Sequence, residues 1–135
     1  MDTLLYLIWL AKMAWSCVTS FWFVSAPLFL LCLYASAYRI RSEDASKKKR
    51  LWSLGTLYLY PVLLLAIGTV LRQSRIQWWT PLICAVLLAF LVLGAYLIVR
   101  LRGLRFAATS HLLVAGWLTI CSGLVASMSV SGSWL

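Results

Sequence analysis

Apolar and polar positions divide the chain into four long hydrophobic runs separated by short polar clusters. The runs are Val18 to Tyr38, Leu51 to Leu71, Pro81 to Val99 and Phe106 to Met128. At about 1.5 Å of helical rise per residue, each is long enough to cross roughly 30 Å of hydrocarbon. The pattern predicts an all-α fold: one polytopic membrane domain, residues 1–135, with four transmembrane helices. Two readings of the stretch Met1 to Trp15 stay open. Tyr6, Trp9, Lys12 and Trp15 suit an interfacial helix at headgroup level, where amphipathic rings and a snorkelling ammonium are comfortable. The alternative is an extension of the first span from Thr3 to Tyr38, about 54 Å as one helix, which must tilt, bend at Pro27 or project.

Local signals mark the ends and bends of these runs. Pro27 and Pro61 each remove a backbone donor, freeing the carbonyls of Phe23 and Leu57, so bends are expected there. Ser25 or a hydroxyl from another span is expected to serve the Phe23 carbonyl. Thr80-Pro81 is a helix start, with a hydroxyl cap before proline at the first helical position. Arg100, Arg102 and Gly103 close the third run as a basic last turn followed by a residue suited to a left-handed cap.

The fourth run has the most distinct face. Ala108, His111, Ala115, Thr119, Ser122, Ala126 and Ser129 recur at three- and four-residue steps, flanked by Gly116 and Gly123. Leu113, Trp117, Ile120, Leu124 and Met128 form the opposite stripe. Small residues let helix backbones approach and hydroxyls bond across the contact, while bulky residues face lipid. This face is therefore the expected packing surface, toward the same chain or toward a partner.

Charge adds orientation. The chain has twelve Lys/Arg against three Asp/Glu, too few charged groups to cover a water-soluble domain of this length. The bases cluster at the ends of apolar runs, as topogenic charges do, so no nucleic-acid partner is expected. Arg39, Arg41, Lys47, Lys48, Lys49 and Arg50 crowd the loop after the first run, and Arg100, Arg102 and Arg105 follow the third. Lys12, Arg72 and Arg75 remain for the other side. A nine-to-three bias places the two crowded loops in the cytoplasm, beside anionic lipid headgroups, and both termini outside a bacterial-type plasma membrane. A secretory leader is not expected: the chain opens on Asp2, and the Ala35-Ser36-Ala37 cleavage mimic is followed at once by the basic block.

The residues suggest little chemistry. No acidic residue falls inside a run, which lowers the case for proton-coupled pumping. Cys17, Cys32, Cys84 and Cys121 lack metal-ligand spacing, and no phosphate loop or nucleophile motif occurs. His111 is the only histidine. It offers a single axial ligand, so it reads as a structural imidazole bonding a hydroxyl or the Leu57 carbonyl near the inner interface. No catalytic, metal or cofactor-binding residue is assigned, and no cofactor is expected.

The layout resembles small four-helix membrane families related to copper-resistance protein D and bacterial membrane-bound protoporphyrinogen oxidase. The resemblance covers residues 4–105, through the aromatic first helix, the basic loop, the stretch KRLWSLGTLYLYPVLLLAIGTVL (Lys49 to Leu71) and the third helix from Trp79 to Arg102. It implies a four-helix membrane fold. The histidine those families carry in the first helix has no counterpart, Lys12 lying in that neighbourhood, and Pro81 and Leu82 replace a polar residue early in the third helix. Haem or copper chemistry therefore transfers to no residue here.

Taken together, the expected function is that of a small non-enzymatic subunit or accessory component of a membrane complex, associating through the fourth helix with a membrane-protein partner or a second copy. An immunity-type protein against a pore-forming toxin, an oligomeric channel or solute carrier, and a haem-linked redox protein are the competing classes. The charge bias makes a direct prediction: a reporter active only in the cytoplasm stays silent when fused after Leu135. An active fusion overturns the orientation or the span count.

Overall fold

The computed structural model describes residues 2–40, 52–72, 77–102 and 105–132, with the side chains of 38–40 excluded. Of the six topogenic bases in the first loop, Arg41, Lys47, Lys48, Lys49 and Arg50 lie outside the described residues, and Arg39 is described in its backbone alone. Among the described residues there are five α-helices: α1 (Thr3–Ser20), α2 (Trp22–Ile40), α3 (Leu59–Val70), α4 (Trp79–Arg100) and α5 (Arg105–Ser131). A 3-10 segment, Ser53–Tyr58, leads into α3. Four helical stretches are long and apolar enough to cross a membrane: Thr3–Ser20, Ser53–Val70, Trp79–Arg100 and Arg105–Ser131.

The first run differs from its expected bounds of 18–38. The helix breaks at Phe21 (φ −100°, ψ 43°), so Val18 to Ser20 close α1 and a second helix begins at Trp22. The break falls six residues before Pro27, and α2 continues through that proline. Hydroxyls account for the position. In a continuous helix the Val18 carbonyl would accept from the amide four residues on. Instead Ser25 Oγ donates to it at 2.7 Å, and the Trp117 indole N–H donates to Ser25 Oγ at 2.8 Å. Ser25 thus serves Val18, not Phe23. Thr19 and Ser20 add bonds from their hydroxyls to the Ser16 carbonyl. At Pro61 the accommodation is different. Residues 53–58 adopt 3-10 geometry and α3 restarts at Leu59, which puts Pro61 in its first turn, where a missing amide is tolerated.

Contacts fix how the helices run. Tyr6 meets Ser129 near the end of α5, Ser25 meets Trp117 at its middle, and Ser36 meets His111 near its start. Consequently α1 and α2 together follow α5 antiparallel along its length. Tyr58, at the entry to α3, meets His111, and Gly68 near the end of α3 meets Ser129, so α3 runs parallel to α5. Trp79 meets Ser127 while Leu97 and Leu101 pack with Ala108, so α4 runs antiparallel. The result is an up-and-down bundle. Its first pass is a broken helix packed lengthwise on α3 and α5, with Leu10 and Ala14 against Leu65 and Val125.

All three hydrophobic clusters include residues of α5, which is the central helix. In hydrocarbon, apolar burial supplies little drive, and close van der Waals contact and interhelical hydrogen bonds carry the association. Ala108, Ala115, Thr119, Ser122, Ala126 and Ser129 are all buried, and His111 is half-buried. Leu113, Ile120 and Leu124 are exposed. Trp117 departs from that outer stripe because its indole reaches Ser25. The tightest approach to the backbone of another helix is at Gly68, where a Cβ would lie 2.8 Å from the Cβ of Ala126 and 2.9 Å from its Cα. Glycine is required there because backbone, not a flexible side chain, faces it. This face is filled by helices of the same chain, the first of the two kinds of neighbour that the sequence left open.

This packing predicts a graded mutational response, read by reversible unfolding in mixed micelles. Gly68→Ala should cost on the order of 1–3 kcal/mol through overpacking, and Ala126→Leu at least as much. Gly55→Ala, which meets nothing within 4 Å, and Leu124→Ala on the exposed stripe should change little. Equal losses at Gly68 and Leu124 would contradict the arrangement.

Candidate functional site

His111 is the seventh residue of α5, about 9 Å from its start at Arg105. Three elements converge on it. Cys32 and Ser36 share one face of α2 by their four-residue spacing, and Tyr58 is the last residue of the 3-10 segment. Tyr58 Oη lies 2.8 Å from Nδ1 and Ser36 Oγ 3.0 Å from Nε2. Cys32 Sγ is 3.3 Å from Nδ1 and 3.7 Å from Nε2. The Tyr58 ring meets the imidazole edge-on, with centroids 5.9 Å apart at 87°.

Either neutral tautomer satisfies both ring nitrogens. In one, the Tyr58 hydroxyl donates to Nδ1 while Nε2–H donates to Ser36 Oγ; in the other, Nδ1–H donates to Tyr58 Oη and the Ser36 hydroxyl donates to Nε2. The cluster is therefore a polar knot joining α2, the 3-10 segment and α5. Haem ligation would have to break one of these bonds. Cys32 and His111 are two soft donors in one place, but among the described residues no group of three or more His, Cys, Asp or Glu is gathered.

The expected partners of His111 were a hydroxyl or the Leu57 carbonyl. The structure places two hydroxyls and a thiol there. The four cysteines are free, with Cys84 exposed, Cys32 and Cys121 buried and Cys17 intermediate. Cys32, Ser36 and Tyr58 were not singled out from the sequence. The spacing of Cys32 and Ser36 puts them on one face, but nothing local says which helix that face meets. Two further ties repeat the pattern at other levels of α5. The Tyr6 and Ser129 hydroxyls pair at 2.8 Å while Ser129 Oγ donates to the Gly68 carbonyl, and Arg72 stacks over the Tyr6 ring at 5.1 Å. Trp79 Nε1 donates to Ser127 Oγ, whose own hydroxyl bonds the Gly123 carbonyl.

The basic residues described at the His111 end are Arg100, Arg102 and Arg105, all exposed. Arg100 lies over the Tyr96 ring at 5.9 Å. The described ends that flank both basic loop segments, those of α2, the 3-10 segment, α4 and α5, gather at this end of the bundle.

The knot makes His111 a positioning residue, with a measurable signature. His111→Gln retains a donor and an acceptor and should leave stability nearly unchanged, whereas His111→Leu strands the Tyr58 and Ser36 hydroxyls and should cost on the order of 1 kcal/mol. Optical spectra of parent and Gln variant should coincide; a Soret band lost in the variant would establish haem ligation instead.

Comparison of the chain with protein-family models, with curated proteins and with solved structures gives no match.

Proposed function

We propose that this chain is a multi-pass protein of a bacterial-type plasma membrane that serves as a non-enzymatic subunit or accessory component of a membrane complex. The orientation puts both termini outside and the basic end in the cytoplasm, against anionic headgroups. It is supported by the nine-to-three distribution of bases and by the gathering of both basic segments' flanking ends at one end of the bundle. Arg100, Arg102 and Arg105 supply the described charge there.

The observation that carries the interaction reading is an open groove between α3 and α4. It measures about 570 Å³ and is lined by Leu59, Tyr60, Leu63, Ala66 and Leu93 among others. The helix α4 is the most apolar of the spans and is held mainly along α5 and the 3-10 segment. With the small face of α5 consumed inside the chain, this groove is the surface that fits an apolar helix of a partner, by insertion of its side-chain ridge.

The test places a photoreactive benzoylphenylalanine at Leu63 or, separately, at exposed Leu124 in cells. A discrete protein adduct from position 63, absent from 124 and lost on filling the groove by Ala66→Trp, is the expected outcome. Lipid adducts alone from both positions would overturn the reading.

A further inference from the structure

Between α1, α3 and α5 lies a second cavity, of about 200 Å³. It exists because α1 turns two small side chains, Ala11 and Ala14, toward the helix crossing, where a larger residue would fill the space. Trp15 and Val62 are exposed at its rim, on α1 and α3, and the Tyr58 ring forms part of its wall. Its interior therefore joins the outer apolar surface to the back of the polar knot, since the same Tyr58 hydroxyl holds Nδ1 of His111.

One polar group in the wall stands apart. The other buried hydroxyls of α5 all have partners: Ser110 bonds the Phe106 carbonyl, Thr119 the Ala115 carbonyl and Ser129 the Gly68 carbonyl. Ser122 is just 4% exposed and lines the cavity, and its Oγ, which makes no hydrogen bond to the described residues, is not sealed among side chains but open to that space. An unpaired hydroxyl in apolar surroundings is unfavourable, and the sequence offers many apolar residues that would fill the position without that cost.

We propose that this cavity binds a single-ring, hydroxyl-bearing lipophile of the phenol class, taken from the bilayer and held by a hydrogen bond to Ser122. Volume sets the size. A cavity of about 150 Å³ accepts benzene, so this one has room for one ring and a small substituent. Ring character follows from the walls, because Trp15 and Tyr58 present aromatic surfaces that favour offset or edge-on contact with another ring. The hydroxyl follows from Ser122, which both donates and accepts and is matched most fully by a group that does the same. A plain acyl chain would leave Ser122 unpaired.

The experiment uses the full chain in lipid nanodiscs, with 4-fluorophenol and fluorobenzene as probes read by fluorine NMR against protein-free discs. The parent should bind 4-fluorophenol saturably and release it to unlabelled phenol. Fluorobenzene, of the same shape without the oxygen, should bind more weakly. Ser122→Ala should weaken 4-fluorophenol about five- to tenfold while leaving fluorobenzene unchanged. Ala11→Phe, a substitution at the exposed rim, should abolish binding of both, with helix content checked by circular dichroism. The two probes compared on the parent keep the test decisive if a variant misfolds. Signals matching protein-free discs, as from a cavity that takes up water alone, or equal affinity for both probes, would overturn the proposal.

Discussion

The close approach of α3 and α5 at Gly68 and Ala126 is the contact on which the remaining packing depends. Here two backbones meet with only the Ala126 methyl group beside them, and Ser129 Oγ donates to the Gly68 carbonyl alongside. Where the surroundings are as apolar as the helices, burying leucine gains little and proximity of backbones gains more. Once α3 is seated, its Leu64 and Leu65 meet α5 and α1, and Tyr58 is carried to the level of His111. The residue α5 contributes at each level is small because the neighbour must come near.

Hydrogen bonds then set the level at which each element sits. Along the first pass there are three: Tyr6 to Ser129, the Trp117–Ser25–Val18 chain at the break, and Ser36 with Cys32 at His111. They are spaced from one end of α5 to the other. A helix sliding by one turn would strand all three at once, and a stranded polar group in apolar surroundings is costly. This explains why the chain breaks at Phe21. A straight helix through α1 and α2 would be about 55 Å long, against about 40 Å for α5, and the break lets the pass bend over its neighbour while keeping its bonds. Trp79 with Ser127 does the same for α4.

This arrangement changes where function is sought. The helix with the most interaction-like face in the sequence is the one whose face is packed internally, and the surfaces left over among the described residues include the α3–α4 groove and the small cavity behind Tyr58. The second is tied to the polar knot through a single side chain, so occupancy of the cavity and the hydrogen bonding of His111 share a residue. The basic end lies close by, which brings Arg100, Arg102 and Arg105, the knot and the Tyr58 side of the cavity wall to the same half of the molecule.

The all-helical class and the presence of long apolar helices were legible in the sequence, because hydropathy and helical periodicity are local properties, whereas α4 opens at Trp79 without the hydroxyl cap expected of Thr80. Pro61 marked a backbone departure for the same reason, although its form, a 3-10 segment, was not specified. The break at Phe21 was not legible: no glycine or proline sits there, and it is held by Ser25 and by Trp117, ninety-two residues further on. The partners of His111 were equally hidden, since Cys32, Ser36 and Tyr58 come from two other elements and are brought together by the bundle. Ser122 shows the division most plainly. Its periodicity placed it on the small-residue face, and it is buried there, but whether a hydroxyl on that face meets a carbonyl or a cavity depends on what stands opposite. Local sequence determines which side of a helix is small and polar; what that side touches is decided by tertiary structure, because contact distances of a few ångströms between remote segments are a property of the whole packing.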